Sequence, residues 1–131
     1  MGIVFNPVEL SIDDFSPWII RASLFSEGMD YSKGFKLEKR YIYNYELEYF
    51  LDGDGSIIVN DTEYQVRKGD IMFRKPGQIA QGIMPYKCYL VIFNLLGKEQ
   101  ESRIQRDGYK EISFYANPLI DSIPVLFRPP L

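Results

Sequence analysis

Residues 68–82 read KGDIMFRKPGQIAQG, and this stretch decides the fold. Lys68-Gly69-Asp70 is a turn sequence, the run IMFR after it is short and mostly apolar, and Pro76-Gly77 is a second turn sequence. A further short run, IAQGIM, follows. Short extended runs between glycine and proline turns predict consecutive strands of an antiparallel sheet.

The same pattern of short runs separated by turn residues continues on both sides of this stretch. YELEYFLDGDG turns at Asp52-Gly53-Asp54-Gly55, and SIIVNDTEYQV turns at Asn60-Asp61, because Asp, Asn and Gly tolerate positive φ. Before them, WIIRASLFSEG (18–28) and residues 35–43 predict extended runs, and CYLVIFNLL (88–96) completes the series. Several short strands at a spacing of about ten residues predict an all-β antiparallel sandwich or barrel.

Composition supports a packed β domain. The chain has 131 residues, of which 46% are hydrophobic and 15% aromatic, and aromatic side chains favour strands. The formal net charge of −3 gives this chain no global electrostatic reason to bind nucleic acid. No signal peptide or membrane-spanning run is visible, and the single Cys88 fits a reducing compartment. We therefore expect a cytoplasmic protein with no membrane partner.

Residues 1–131 are predicted to form a single ligand-sensing domain. Residues 1–17 form an N-terminal arm with Asn-Pro and Ser-Pro breaks, and residues 18–96 form the barrel. Residues 97–131 form a charged excursion that leads to a proline-rich end. Because the chain stops at Pro129-Pro130-Leu131, we expect that a C-terminal region has been cut away.

The stretch from Tyr45 to Asn94 resembles the cupin fold, and most closely the N-terminal effector-binding domain of AraC-type transcription regulators. The features are YELEYFLDGDGSIIV, the return strand EYQV, then KGDIMFRKPG and YLVIFN, in this order. The spacing from Gly69-Asp70 to Pro76-Gly77 matches the AraC-type pattern, which is one residue longer than the common metal-cupin spacing. The resemblance implies a cupin-like antiparallel β-barrel of the jelly-roll type with little helix, whose C-terminal helical part is truncated.

The chain departs from the metal-binding relatives at their metal ligands. Glu46 matches the motif's glutamate, but Ala80 occupies the position of the last histidine, and the chain contains no histidine. The two upstream histidine positions hold Arg40 and Ile42, or Lys39 and Tyr41 if the gap is one residue longer. One carboxylate without imidazole or thiolate partners is a poor site for zinc, iron or nickel. We expect no metal and no cofactor, which leaves the interior available for an organic ligand.

Two orientations are open for the strand over residues 45–51. A simple core argument buries Tyr45, Leu47, Tyr49 and Leu51 and leaves the glutamates in water. The cupin resemblance implies the opposite, with Glu46, Glu48 and Phe50 lining the barrel and the Tyr/Leu face outside, under helices or a partner subunit. We prefer the second orientation.

The same resemblance places further side chains in the barrel. Cys88, Leu90 and Ile92 would face inward on the last strand, and Arg40 falls near the position of a ligand-contacting arginine of the family. The predicted ligand-binding residues are Arg21, Ser23, Arg40, Glu46, Glu48, Phe50, Gln81 and Cys88. This mixture of donors, acceptors and an aromatic ring suits a neutral polyol or sugar. Alternatively, Arg40 and a glutamate pair internally and leave no room for a ligand.

We therefore predict a regulatory sensor domain of an AraC-family transcriptional regulator. A small metabolite such as a sugar would bind in the metal-free barrel and control a helix-turn-helix domain that this chain lacks, so that DNA is bound only through that domain. The full-length protein is expected to be a homodimer. With no histidine to act as a base, we expect no catalytic residue and no enzyme activity. The alternative is a stand-alone cupin, either a binding or dimerisation module or a sugar-modifying enzyme.

Overall fold

The fold is all-β, as the turn spacing predicts. The computed structural model describes residues 8–9, 11, 13, 15–95, 97, 115–116 and 118–130. The strands are β1 (Val8–Glu9), β2 (Trp18–Phe25), β3 (Arg40–Tyr41), β4 (Tyr45–Gly53), β5 (Ser56–Val59), β6 (Thr62–Gln65), β7 (Ile71–Arg74), β8 (Ile79–Ile83), β9 (Tyr86–Asn94), β10 (Tyr115–Ala116) and β11 (Leu126–Phe127). A 3-10 helix spans Glu27–Asp30 and a single α-helical turn spans Pro118–Asp121.

Two antiparallel sheets form a cupin-like barrel of the jelly-roll type. One sheet has five strands in the order β11-β7-β4-β9-β2, and the other has four in the order β3-β8-β5-β6. Their inner faces share one hydrophobic cluster, which consists of Phe50, Ile57, Val59, Val66, Met72, Met84, Tyr86 and Cys88. Because β4, β7 and β9 supply members from one sheet and β5 from the other, the core lies between the sheets.

The predicted turns join these strands. Asn60 and Asp61 adopt φ values of 49° and 67° between β5 and β6, which is the left-handed pair that a two-residue hairpin requires. Gly77 has a φ of 96° between β7 and β8, a conformation that glycine adopts without a Cβ penalty. The extended run predicted over residues 35–43 is shorter in the structure, where only Arg40–Tyr41 forms a strand.

The C-terminal residues return to the barrel, a feature that the sequence did not reveal. β11 pairs antiparallel with β7, and the Phe73 amide donates to the Val125 carbonyl. Arg128 then binds the buried Asp70 carboxylate through two hydrogen bonds of 2.9 and 2.8 Å. Within residues 118–130, called the C-terminal strap below, β11 therefore forms one edge of the five-stranded sheet. Most of the predicted arm and of the charged excursion over residues 97–113 lies outside the described residues.

No helix in the described part of the chain is long and apolar enough to cross a membrane.

A charged cavity between the two sheets

Strand β4 turns its glutamates into the barrel. Glu46 and Glu48 are only 3% and 4% exposed, and Phe50 is fully buried, whereas Leu47 and Tyr49 are 37% and 46% exposed. The orientation implied by the cupin resemblance is therefore confirmed. Tyr45 is the exception on the outer face, where it is buried against Phe73, Phe93 and Leu95 with Ile120 of the C-terminal strap.

Two arginines compensate the buried charge of Glu46. Arg40 binds it in a bidentate manner, with Nη1 and Nη2 donating to the two carboxylate oxygens at 2.8 and 2.6 Å. Arg74, which is itself 3% exposed, donates from Nε and Nη2 to Oε1 of Glu46 at 3.2 and 2.9 Å. Burial alone would raise the pKa of Glu46, but the two guanidinium groups outweigh it and lower the pKa.

Strand register explains why these side chains meet. Glu46 lies directly opposite Arg74 on the neighbouring strand β7, so both project from the same face of the five-stranded sheet. Arg40 belongs to β3 of the other sheet and reaches Glu46 from there. This ion pair therefore joins the two sheets of the barrel.

Arg74 also links Glu46 to a second buried carboxylate. Its Nη1 forms an ion pair with Oε1 of Glu48, and the Cys88 thiol donates to Oε2 of Glu48 at 3.0 Å. Burial lowers the pKa of Arg74, but the two glutamates raise it by more, so the guanidinium stays charged. Burial first, and then the Glu48 carboxylate, raise the pKa of Cys88, which keeps that thiol protonated.

A cavity of about 390 Å³ lies beside this network. A volume of this size is within the range of about 300–1,000 Å³ that small-molecule sites occupy. Its lining combines apolar side chains with three guanidinium groups and three carboxylates. The lining residues are Arg21, Ser23, Leu24, Phe25, Glu27, Leu37, Glu38, Arg40, Glu48, Ile57, Arg74, Ala80, Gly82, Tyr86, Leu90 and Ile92.

The structure brings together half of the predicted ligand-binding residues at the cavity wall. Arg21, Ser23, Arg40 and Glu48 line it. The others lie behind the wall or elsewhere: Glu46 pairs with Arg40 and Arg74, while Phe50 and Cys88 belong to the packed core.

Gln81 is not among the lining residues of this cavity. The side chains of neighbouring strand residues point to opposite faces, so Ala80 and Gly82 face the cavity and Gln81 does not. Its amide donates to the Leu37 carbonyl at 2.9 Å, and it borders a separate surface hollow with Ile58 and Ile79.

Sequence reasoning did not place Arg74 or Tyr86 at the cavity. Arg74 ends the run IMFR, where a charge normally indicates the solvated end of a strand, but its alternation with Met72 would have placed it inside. Tyr86 precedes the run that we expected to begin at Cys88, while β9 in fact begins at Tyr86. Gly82 makes room for its hydroxyl group, because a Cβ at that position would collide with it.

The described residues do not fit a metal ion. Both oxygens of Glu46 are engaged by guanidinium groups, and Ala80, with only a methyl group, occupies the position that the resemblance matches to the last histidine of metal-binding cupins. Within the described ranges no three His, Cys, Asp or Glu side chains cluster as metal ligands would. A guanidinium and a methyl group cannot replace imidazole as a ligand.

Several solved structures are similar to this chain at low identity. A cupin superfamily protein from Desulfitobacterium hafniense is 15% identical over 68% of this chain and 84% of that chain, with a TM-score of 0.45. A predicted oxalate decarboxylase from Thermotoga maritima is 17% identical over 61% of this chain and 93% of that chain, with a TM-score of 0.41. The EutQ protein of Clostridium difficile is 20% identical over 49% of this chain and 51% of the EutQ chain, with a TM-score of 0.41. This chain therefore spans about half the length of EutQ. No protein family model matches the chain, and no curated protein matches its sequence.

The expectation that the protein is not an enzyme needs correction. The similar structures include a predicted oxalate decarboxylase from Thermotoga maritima and the oxalate decarboxylase of Bacillus subtilis, both named for an enzyme activity. The absence of histidine was the physical ground for that exclusion, but a buried carboxylate can also accept a proton. Enzymatic activity is therefore not excluded.

Proposed function

We propose that this chain is the effector-binding sensor domain of an AraC-type transcription regulator, and that it binds a small metabolite, a sugar or related polyol, in the central cavity. The observation that carries the binding role is the cavity of about 390 Å³ beside an ion-pair network that holds its polar side chains in fixed positions. The regulator role is supported by the resemblance of residues 45–94, from YELEYFLDGDG to YLVIFN.

The lining supports a hydroxylated ligand. A sugar offers hydroxyl groups that both donate and accept hydrogen bonds, together with an apolar ring face. Arg40 and Glu48 provide donor and acceptor atoms, while Leu37, Leu90 and Ile92 provide apolar contact. The ion pair between Arg40 and Glu46 and the cavity coexist, so internal pairing does not remove the room for a ligand.

Arg40 offers a route from the cavity to the rest of the protein. It lines the cavity, is half-exposed, and joins the short strand β3 to Glu46 of the opposite sheet. A ligand that binds differently to two arrangements of this contact would shift their populations by that difference in affinity. In the proposed regulator, the shift changes DNA binding by a helix-turn-helix domain outside this chain.

The outer face of the five-stranded sheet supports the proposed homodimer. Leu24, Tyr89 and Tyr49 lie side by side in register across β2, β9 and β4, and each is about half-exposed. Exposed apolar patches of this kind are typical of interaction surfaces. Sedimentation velocity measures the mass of the full-length protein in solution, and a monomer mass would contradict the proposed homodimer.

A thermal-shift screen of pentoses, hexoses and polyols tests the proposal. We expect at least one compound to raise the Tm of the wild-type chain, and we expect Arg40→Ala to abolish this shift because it removes a cavity-lining donor. Arg67→Ala is the charge-matched control, because Arg67 is exposed and does not line the cavity. A screen without any stabiliser would contradict the binding role, and an unchanged shift in Arg40→Ala would remove Arg40 from the site.

A second candidate is an enzyme that acts on the same kind of molecule. Glu48 favours it, because this cavity-lining carboxylate could accept a proton from a bound substrate. Incubating each stabilising compound with the protein and following its NMR spectrum separates the two roles. A sensor leaves the compound unchanged, whereas an enzyme converts it.

A further inference from the structure

A buried carboxylate, that of Glu48, lies at the wall of the cavity. Glu48 is 4% exposed and lines the cavity. Its Oε2 accepts a hydrogen bond from the Cys88 thiol, and its Oε1 is ion-paired with Nη1 of Arg74. An ionised carboxylate has about four lone pairs, so Glu48 can accept a further hydrogen bond from a ligand hydroxyl group.

The Tyr86 hydroxyl group is a second polar group at this wall. Tyr86 is 5% exposed, its ring packs edge-on against Phe50 at a centroid distance of 5.4 Å, and it lines the cavity. Within the described residues its hydroxyl group lies next to Gly82 and forms no hydrogen bond. A phenol can both donate and accept a hydrogen bond, so it is available to a ligand.

The two groups belong to one part of the cavity. Tyr86 and Glu48 interact electrostatically, and Glu48 lies opposite Leu90 on β9, the strand that carries Tyr86. The two side chains therefore project from adjacent strands of the five-stranded sheet into the same hollow.

We propose that Glu48 and Tyr86 form a hydroxyl-binding subsite, in which a hydroxyl group of a neutral sugar or polyol donates to the Glu48 carboxylate and a neighbouring hydroxyl group binds the Tyr86 phenol. This inference rests on the proposed binding function. It specifies which residues bind the ligand's hydroxyl groups and that the ligand is uncharged, and the sequence alone indicates neither. Neither residue's role requires a metal or a reaction.

Charge balance at the subsite selects a neutral ligand. The buried network has two guanidinium groups, Arg40 and Arg74, and two carboxylates, Glu46 and Glu48, so it has no excess positive charge. An anionic ligand would lie against Glu48 without an uncommitted guanidinium beside it. Arg21 also lines the cavity, but the carboxylates of Glu27 and Glu38 line it as well and outnumber its single positive charge. A ligand ammonium group bound at the subsite would lie against the Arg74 guanidinium, which has the same charge.

Calorimetric titration of matched sugars tests the subsite. D-Glucose, D-glucuronate and D-glucosamine share a ring and differ in charge, and D-galactose with D-galacturonate and D-galactosamine forms a second set. We expect a neutral member to bind and its charged counterparts to bind at least about tenfold more weakly. Tyr86→Phe, which keeps the buried ring, and Glu48→Gln, which keeps the side-chain shape, should each weaken binding at least about tenfold.

Tyr89→Phe is the matched control, because Tyr89 lies on the same strand but is 52% exposed on the outer face, and it should bind like the wild type. Should Glu48→Gln fail to fold, Tyr86→Phe alone decides the result. Preferred binding of the acid or the amine, or unchanged affinity in Tyr86→Phe, would overturn the subsite while the cavity-binding function stands. If no member of either set binds at millimolar concentration, the subsite is overturned, and the broader sugar and polyol screen then decides the binding function separately.

Discussion

At the scale of single residues, the barrel depends on Arg74. This side chain is 3% exposed and contacts two buried carboxylates, Glu46 and Glu48. Removing one partner of a buried charge pair leaves an uncompensated charge, which costs more than the intact pair contributes. Arg40 also binds Glu46, but it is half-exposed. When Arg40 is removed, water therefore replaces part of the lost interaction, and the loss of stability is smaller.

Replacing Arg74 with Met should lower the free energy of unfolding by about 3–5 kcal/mol, because Glu46 and Glu48 then lie buried with only Arg40 to compensate them. Urea denaturation measures this loss. Arg40→Met is the control and should cost clearly less. Equal losses in the two variants would show that Arg74 does not compensate the buried carboxylates.

Cys88 gives the stability a defined alkaline pH dependence. Burial and the Glu48 carboxylate raise its pKa, so the folded state holds the thiol proton more tightly than the unfolded state. Its contribution is therefore complete below the unfolded-state pKa of about 8.5 and is lost as the pH rises above it. Between about pH 8.5 and 10, Cys88→Ala should show a smaller decline in Tm with pH than the wild type. Parallel declines would contradict this assignment.

At the scale of elements, alternation along strands explains both the successes and the failures of sequence reasoning. Inward orientation of Glu46, Glu48 and Phe50 was predicted because the motif glutamate fixed the register of β4. Local sequence could not show that Arg74 lies opposite Glu46, because strand pairing is a long-range property. Gln81 is next in sequence to Ala80, which occupies the position of the last histidine of metal-binding cupins, but it lies on the opposite face of β8 from the cavity.

The C-terminal strap was unpredictable for a related reason. β11 has only two residues and is followed by prolines, so it lacks the alternating pattern that indicates a strand. Its place is fixed by contacts with distant residues. Arg128 binds Asp70, and burial, which would raise the pKa of Asp70, is outweighed by this guanidinium, so the pKa is lowered.

Arg128→Ala should loosen the strap without unfolding the barrel, because it removes both side-chain hydrogen bonds from Arg128 to Asp70. Hydrogen exchange of the Phe73 amide, which donates to Val125, should become at least about tenfold faster, while the Phe50 amide in the core stays protected. Lys87→Ala, on β9 and away from the strap, serves as the control. Unchanged exchange at Phe73 would show that Arg128 does not hold the strap.

At the scale of the whole molecule, two sheets share an apolar core at one part of their interface and leave a charged hollow at another. Phe50, Met72 and Met84 fill the core, while Ala80 and Gly82 are too small to fill the space near Arg40. The spacing of turns in the sequence predicted the sheets. The size of the hollow depends on side chains from both sheets, so only the structure shows it.

The most direct test of this account is calorimetric titration of a stabilising sugar or polyol into the wild-type chain and into Ala80→Leu. Leucine at position 80 would fill part of the hollow without changing a charge, since Ala80 is 4% exposed and lines it. We predict saturable binding to the wild type, and binding at least about tenfold weaker in Ala80→Leu at an unchanged Tm. Equal binding by both proteins would place the ligand outside the hollow and contradict the account.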